Sequence, residues 1–273
     1  MLDQKLSLVL PAHNEADNIE AVVCRGMSIL PKIVSDYEII VVDDGSSDLT
    51  PSIADQLAAR HATIKVVHHR ENRGYGAALT SGFAKASGGL IMFMDADRQF
   101  DISDITALAP YVPHYDIIAG YRIRRQDPLY RKVYGTLFGL VAWALFDIHM
   151  RDIDCAFKIY RADLLKNLTL TAPGALINTE MLARSKRKGA TISQVGVRHY
   201  PRLAGQSSGG SPRVVFRAMG ETIRLWLALR KEEAADPDVA GEQRRQRSIA
   251  AAGLGLILAV IVGIVLSLRQ RSR

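Results

Sequence analysis

Five short apolar runs punctuate the first 125 residues, at positions 6–10, 38–42, 64–67, 90–94 and 117–119. Each is too short for a helix and is bounded by turn-forming or polar residues, which predicts buried strands. Between them the apolar positions recur at helical spacing, near 15–30, 49–60, 75–87 and 102–111. Asn14, Ser47 and Asp101 stand where helix caps are expected. The alternation predicts an α/β fold with a mostly parallel, Rossmann-like central sheet covered on both faces. In such sheets ligands collect at the carboxyl ends of the strands.

Polar residues crowd those ends. Pro11-Ala12-His13-Asn14-Glu15 follows the first run, and Asp43-Asp44-Gly45-Ser46-Ser47-Asp48 the second. Arg70-Glu71-Asn72-Arg73-Gly74-Tyr75-Gly76 follows the third, and Asp95-Ala96-Asp97-Arg98-Gln99 the fourth. Turn chemistry explains any one of these clusters. Four in succession on one edge mark a site. Asp95 and Asp97 are the most informative pair. Two carboxylates at the end of a buried strand repel each other and lose hydration unless a cation lies between them. Oxygen ligands favour Mg²⁺ or Mn²⁺, and Mg²⁺ bridges carboxylates to substrate phosphates. Gly74 and Gly76 allow close backbone approach to a ligand. No G-x-G-x-x-G opens the first helix, which counts against a dinucleotide site. His68-His69 ends a strand and reads as incidental.

The C-terminal part has a different character. Residues 249–268 are 20 uncharged positions flanked by Arg244, Arg245 and Arg247 before and Arg269, Arg271 and Arg273 after. At helical rise they span about 30 Å, the thickness of a bilayer core, and predict a single transmembrane helix. The basic N-terminal flank predicts a main domain facing the cytoplasm. Residues 213–231 combine an apolar face (Val214, Val215, Phe216, Met219, Ile223, Trp226, Leu227) with Arg213, Arg217, Arg224, Arg230 and Lys231. This suits an amphipathic helix lying at a membrane interface, or one packed on the domain. Residues 232–248 read as a polar linker, leaving 1–212 as the main domain. The apolar stretch 133–146 is too short to span, and suits a core helix or one lying on the membrane. Of the net charge of +7, +5 belongs to residues 213–273. That argues for an anionic membrane surface near the tail and against a nucleic-acid partner. Cys24 and Cys155 have no metal-ligand spacing and are expected to be reduced thiols. Oligomeric state has no signal.

Taken in order, P-A-H-N-E at 11–15, V-V-D-D-G-S-S-D at 41–48, N-R-G-Y-G-A-A-L-T-S-G-F at 72–83 and M-D-A-D-R-Q at 94–99 resemble the family 2 glycosyltransferases of GT-A fold. A-G-Y-R at 119–122, D-I-D-C-A-F-K-I-Y-R at 152–161 and H-Y-P-R-L-A-G-Q-S at 199–207 extend the resemblance over about 5–210. It points to the dolichyl- and polyprenyl-phosphate sugar transferases. The resemblance implies that Pro11, His13 and Glu15 lie against base and ribose, and that Asp43 or Asp44 bonds the base. It implies Asp95 near ribose and metal, Asp97 as a direct ligand of Mg²⁺ or Mn²⁺, and Gln99 as a further ligand. Arg122 is implied beside the diphosphate or acceptor, with Arg131 and Lys132 where the lipid phosphate is met. Arg202 and Ser207 fall in a loop that closes on the substrate. Arg98, Phe100-Asp101 and Ala156 depart from the family pattern and bear on sugar and acceptor identity. The polymer-synthase signature Q-x-x-R-W is absent.

The expected chemistry is inverting, metal-dependent transfer of a hexose from a UDP- or GDP-sugar to polyprenyl or dolichyl phosphate at the membrane surface. A phosphate acceptor is already ionised near neutral pH and needs cations rather than a strong base. Two other readings stand beside it. One is transfer to a hydroxyl of a lipid or glycan, with Glu180 as base. The other is a membrane scaffold that binds nucleotide-sugar without turnover.

Overall fold

The computed structural model describes residues 2–123, 129–202 and 212–234, with 129–134, 212–217 and 233–234 described by backbone alone. The chain divides into two compact units, Met1–Gln126 with Arg151–Ser207 and Asp127–Met150 with Ser208–Arg273.

The first unit is built on a seven-stranded sheet. Its strands are β1 (Leu6–Ala12), β2 (Tyr37–Asp43), β3 (Ile64–His68), β4 (Leu90–Met94), β5 (Ile117–Ile123), β6 (Phe157–Arg161) and β7 (Ile192–Arg198). Their order is β3-β2-β1-β4-β6-β5-β7. β1, β2, β3 and β4 run parallel, as do β5 and β7, while β6 is antiparallel to both β4 and β5. The mostly parallel sheet therefore matches the sequence expectation, with one reversed strand inserted. β1 and β4 are buried at every position, which is why β4 reads as a continuous apolar run and β1 as one interrupted by Ser7.

Helices α1 (Ile19–Ile29), α2 (Thr50–Arg60) and α3 (Tyr75–Lys85) connect the first four strands. α4 (Ile105–Leu108) is a single turn between two 3₁₀ segments, because Pro110 interrupts the helical pattern. α6 (Ala162–Lys166) and α7 (Ile177–Arg187) follow β6. Asp101 caps as expected, accepting from the Ser103 N–H at 2.9 Å. Asn14 and Ser47 do not cap helices. Asn14 adopts φ +55° and its Oδ1 accepts from the Ser47 N–H at 2.8 Å, so the pair ties two loops together. α2 is served by Asp48, which accepts from the Thr50 N–H at 2.9 Å.

One buried polar cluster lies at the amino ends of the strands, opposite the loops of interest. Glu38 accepts from Ser7 Oγ at 2.6 Å, from Ser87 N and Oγ, and from the Lys65 ammonium. These donors satisfy a carboxylate whose side chain is 2% exposed.

The second unit contributes, among the described residues, α5 (Leu129–Phe146) and α8 (Pro212–Ala234). On α5, Leu140 and Trp143 are exposed, and Trp143 Nε1 donates to His149 Nε2 at 2.6 Å. On α8, Met219 and Trp226 of the expected apolar face are buried, together with Thr222, Leu225 and Leu229, whereas Leu227 is exposed. The Arg230 guanidinium stacks 4.5 Å over the Trp226 ring. No helix among the described residues is long and apolar enough to cross a membrane. The span expected at 249–268 and the linker at 232–248 lie largely or wholly outside the described residues, as do Ser207 and the side chains of Arg131 and Lys132.

Candidate active site

The strand order reverses between β1 and β4, since β2 lies to one side of β1 and β4 to the other. That is the switch point at which open α/β sheets bind ligands. The loops after β1 and β4 flank it, and they carry Glu15, Asp95 and Asp97.

Asp97 is 3% exposed. Its Oδ1 accepts from the Gln99 N–H at 3.0 Å, and its Oδ2 accepts from Arg202 Nη2 at 2.6 Å and Nε at 3.2 Å. Arg202 also lies 3.8 Å from Glu15 Oε1. Asp95 Oδ1 is closed off from solvent and makes no well-formed hydrogen bond. Burial first, and then the charge of Asp97, push the Asp95 carboxyl up to about 7. The Tyr75 hydroxyl is buried beside it, and each group shifts the other's titration. A buried carboxylate oxygen that makes no well-formed hydrogen bond, next to a second buried carboxylate, fits a hard divalent cation. Among the described residues no three His, Cys, Asp or Glu side chains converge, so substrate oxygens or water would have to complete any ion's shell. The Gln99 amide donates to the Tyr200 carbonyl at 3.2 Å, and the Tyr200 N–H donates to the Gln99 carbonyl at 2.9 Å. Gln99 thus joins the β4 loop to the segment bearing Arg202.

The residues expected around the nucleotide divide into two groups. Glu15 is half-buried, with one oxygen facing Arg202 and the other accepting from Asn18 Nδ2 at 2.7 Å. His13 is exposed, and its Nδ1 donates to the Asp44 carbonyl at 2.9 Å. By contrast Pro11 is buried within β1, paired with Val42. Asp43 and Asp44 are also buried, and their carboxylates are engaged by protein donors. Asp43 meets the Ser46 N–H at 3.0 Å and His68 Nδ1 at 2.9 Å. Asp44 Oδ1 accepts from the Arg73 N–H at 2.9 Å and meets His69 Nδ1 at 2.6 Å, while Oδ2 accepts from the Gly74 N–H at 2.8 Å. The geometry gives both aspartates the task of shaping the loops around the cleft.

His68-His69 is accordingly not incidental. His68 also meets Asp55 at 3.0 Å, and its hydrogen bond to Asp43 raises its pKa against the opposing effect of burial. The pairing of β2 with β3 places His68 beside Asp43, a neighbour 25 positions away in the sequence. Two further residues escaped the sequence reading. Asp152 grips Arg122, accepting from Nε at 2.6 Å, Nη2 at 2.8 Å and the Arg122 N–H at 3.3 Å. Lys158 is fully buried and donates to the carbonyls of Ile153 at 2.9 Å and Cys155 at 2.6 Å, and to Asn178 Oδ1 at 3.2 Å. It fastens the segment that carries Asp152. A lysine at an inward position of the run Phe-Lys-Ile-Tyr was the available clue.

Glu180 is fully buried in α7, and its carboxylate receives the N–H groups of Thr171 and Ala172, the Thr171 hydroxyl and Arg184 Nε. A carboxylate so enclosed is not placed to take a proton from an acceptor. The glycines also have a different task from the one expected. A Cβ on Gly76 would stand 2.1 Å from the Ala172 carbonyl, and one on Gly74 2.6 Å from the Pro173 carbonyl. The close approach they permit is to the protein's own turn.

Fold and cleft together define an α/β protein of the GT-A type, with acidic residues at the switch point and arginines set against them. Residues 7–183 match the glycosyl transferase family 2, and the chain belongs to that family and is a glycosyltransferase. Among curated relatives it is 29% identical over 230 residues to a dodecaprenyl-phosphate galacturonate synthase of Rhizobium johnstonii, covering 83% of this chain and 68% of that protein. It is 31% identical over 166 residues to an undecaprenyl-phosphate 4-deoxy-4-formamido-L-arabinose transferase of Yersinia pestis, covering 60% of this chain. The chain spans 50% of the length of that second relative. The fold is shared with glucosyl-3-phosphoglycerate synthase of Mycobacterium tuberculosis, crystallised with Mn²⁺, UDP and phosphoglyceric acid (TM-score 0.63, 21% identity, 82% of this chain and 78% of that one). It is shared also with TarS of S. aureus in complex with UDP-GlcNAc (TM-score 0.60, 19% identity, 93% and 73%).

Proposed function

We propose that the chain catalyses inverting, metal-dependent transfer of a hexose or related sugar from a UDP- or GDP-sugar to a polyprenyl or dolichyl phosphate at a membrane surface. The observation that carries the reading is the buried Asp95–Asp97 pair at the switch point, with Arg202 on one carboxylate and an unsatisfied oxygen on the other. Both of the curated relatives described above bear names of polyprenyl-phosphate sugar enzymes, which supports the acceptor class.

Asp95 and Asp97 are the groups that would hold Mg²⁺ or Mn²⁺, with Gln99 beside them. Bound there, the ion would supply positive charge to the leaving diphosphate. Asp97 holds Arg202 at the cleft, where a guanidinium can take a share of phosphate charge in bidentate fashion. Arg122 is fixed in orientation by Asp152, which lowers the cost of presenting it to an anion. Arg131 and Ser207 are proposed to meet the acceptor and donor phosphates. Glu15 and His13 are proposed to face the nucleoside. The enclosure of Glu180 supports a phosphate acceptor, because an ionised phosphate needs no base while a hydroxyl does. Attack from the face opposite the leaving group inverts the anomeric centre. The basic tail, with the apolar stretch 249–268, is proposed to anchor the chain in the membrane with its main domain on the cytoplasmic side.

The test is transfer from radiolabelled UDP-glucose, UDP-galacturonate, UDP-GlcNAc and GDP-mannose to undecaprenyl phosphate, with Mn²⁺ or Mg²⁺ present. A chloroform-extractable labelled lipid from one donor supports the reading and identifies base and sugar. Donor binding without labelled lipid from any of them would contradict it.

A further inference from the structure

We infer that Glu180 is a positioning residue for the donor end of the cleft, acting through the turn at 171–173 on the first turn of α3. The inference rests on the reading of Asp95 as part of the donor site. It starts from where the carboxylate spends its acceptor capacity. Oε2 takes the Thr171 N–H at 2.9 Å and the Ala172 N–H at 2.7 Å. Oε1 takes the Thr171 hydroxyl at 2.9 Å and Arg184 Nε at 2.9 Å. Four donors fill the sites that a carboxylate offers.

The turn held in this way aims its next carbonyl at α3. Pro173 O accepts from the Gly76 N–H at 2.7 Å and the Ala77 N–H at 3.3 Å. These are N–H groups that a helix start leaves without an intrahelical partner, and α3 has no side-chain cap of its own. The preceding Gly74, at φ +96°, is held from the other side by Asp44. Tyr75 stands between these two anchors, and its buried hydroxyl lies beside Asp95. The path thus runs from Glu180 through Thr171–Pro173 and the backbone of Gly76 to the Tyr75 ring and the Asp95 carboxylate. Gly76 marks the joint on the helix side, since any Cβ there would collide with the Ala172 and Gly174 carbonyls at 2.1 and 2.9 Å.

The experiment compares Glu180→Gln, Thr171→Val and Gly76→Ala with wild type in three readouts. These are amide hydrogen exchange over residues 74–80, binding of UDP and of GDP with Mn²⁺, and the kinetic constants with their pH profile. Glu180→Gln and Gly76→Ala should both lose protection over 74–80. Both should weaken Mn²⁺–nucleotide binding by roughly tenfold, the scale of a lost hydrogen bond to a charged group. KM for the lipid acceptor and the shape of the pH profile should stay as in wild type. Thr171→Val should move in the same direction by less, and it keeps the test open if Glu180→Gln fails to fold. Adding Tyr75→Phe to Glu180→Gln should cost less than the sum of the two, as expected for residues on one path. Wild-type protection over 74–80 in the Glu180→Gln protein would overturn the inference. So would unchanged nucleotide binding with loss of the acidic limb of the pH profile, which is the signature of a base. Should wild type bind neither UDP nor GDP, the donor reading fails, and the exchange data still decide the relay.

Discussion

Replacing Asp152 with Asn tests the claim that Arg122 works only when held. Asp152 contacts both Nε and Nη2 of Arg122, with side chains 6% and 13% exposed respectively. Removing one partner from a buried pair costs about 3–5 kcal/mol. Asn keeps one acceptor oxygen, so a loss of about 2 kcal/mol is the expectation here. For a domain of this size that lowers Tm by roughly 4–8 °C. The effect on chemistry should be larger in proportion. A guanidinium displaced by about 1 Å from its productive position forfeits about a hundredfold in rate. The assay is transfer of labelled sugar to undecaprenyl phosphate alongside thermal unfolding of the same preparations. Arg122→Ala and the double variant complete a cycle in which the two losses should not add. Transfer by Asp152→Asn within about twofold of wild type would refute the reasoning, whatever its Tm.

Asp97→Ala should abolish transfer and weaken Mn²⁺ binding measured by electron paramagnetic resonance, while retaining a cooperative unfolding transition; unchanged turnover would remove Asp97 from the site. Burial alone would raise the Glu38 carboxyl, but the Lys65 ammonium and the Ser7 and Ser87 donors hold it at about 2, below its ordinary 4.5. Because the folded value is the lower one, this stability is present above pH 4.5 and is lost as pH falls toward 2. By linkage it amounts to at most about 3 kcal/mol, so Glu38→Gln should flatten the acid limb of a Tm–pH curve, and an unchanged limb would contradict the assignment. Cys155 is buried, and burial with the nearby Asp152 charge pushes its thiol up to about 12, whereas Cys24 is exposed. Iodoacetamide on the native protein should label Cys24 and spare Cys155 until denaturant is added, as read by mass spectrometry.

Much of the fold was legible where burial is complete on both faces. Leu90–Met94 reads as a strand because every one of its residues is inside. β7 was not legible, because Ile192–Arg198 is mostly half-buried and mixes Ser, Gln and Gly into the run. β6 was hidden by Lys158, a charge at a fully buried position that is held by carbonyl groups and an amide rather than by water. The site was legible at its motifs and illegible at its supports. Asp95 and Asp97 stand one residue apart and announce themselves. Asp152 lies 30 positions from Arg122, and His69 lies 25 from Asp44, so neither pairing is written locally. Glu180 could be read as a base because sequence gives the residue type and not its enclosure.

The most direct measurement offers the same labelled donor to undecaprenyl phosphate and to undecaprenol, with and without EDTA. The account predicts labelled lipid from the phosphate alone, and none once the metal is chelated. Labelled product from undecaprenol, or undiminished transfer in EDTA, would contradict it.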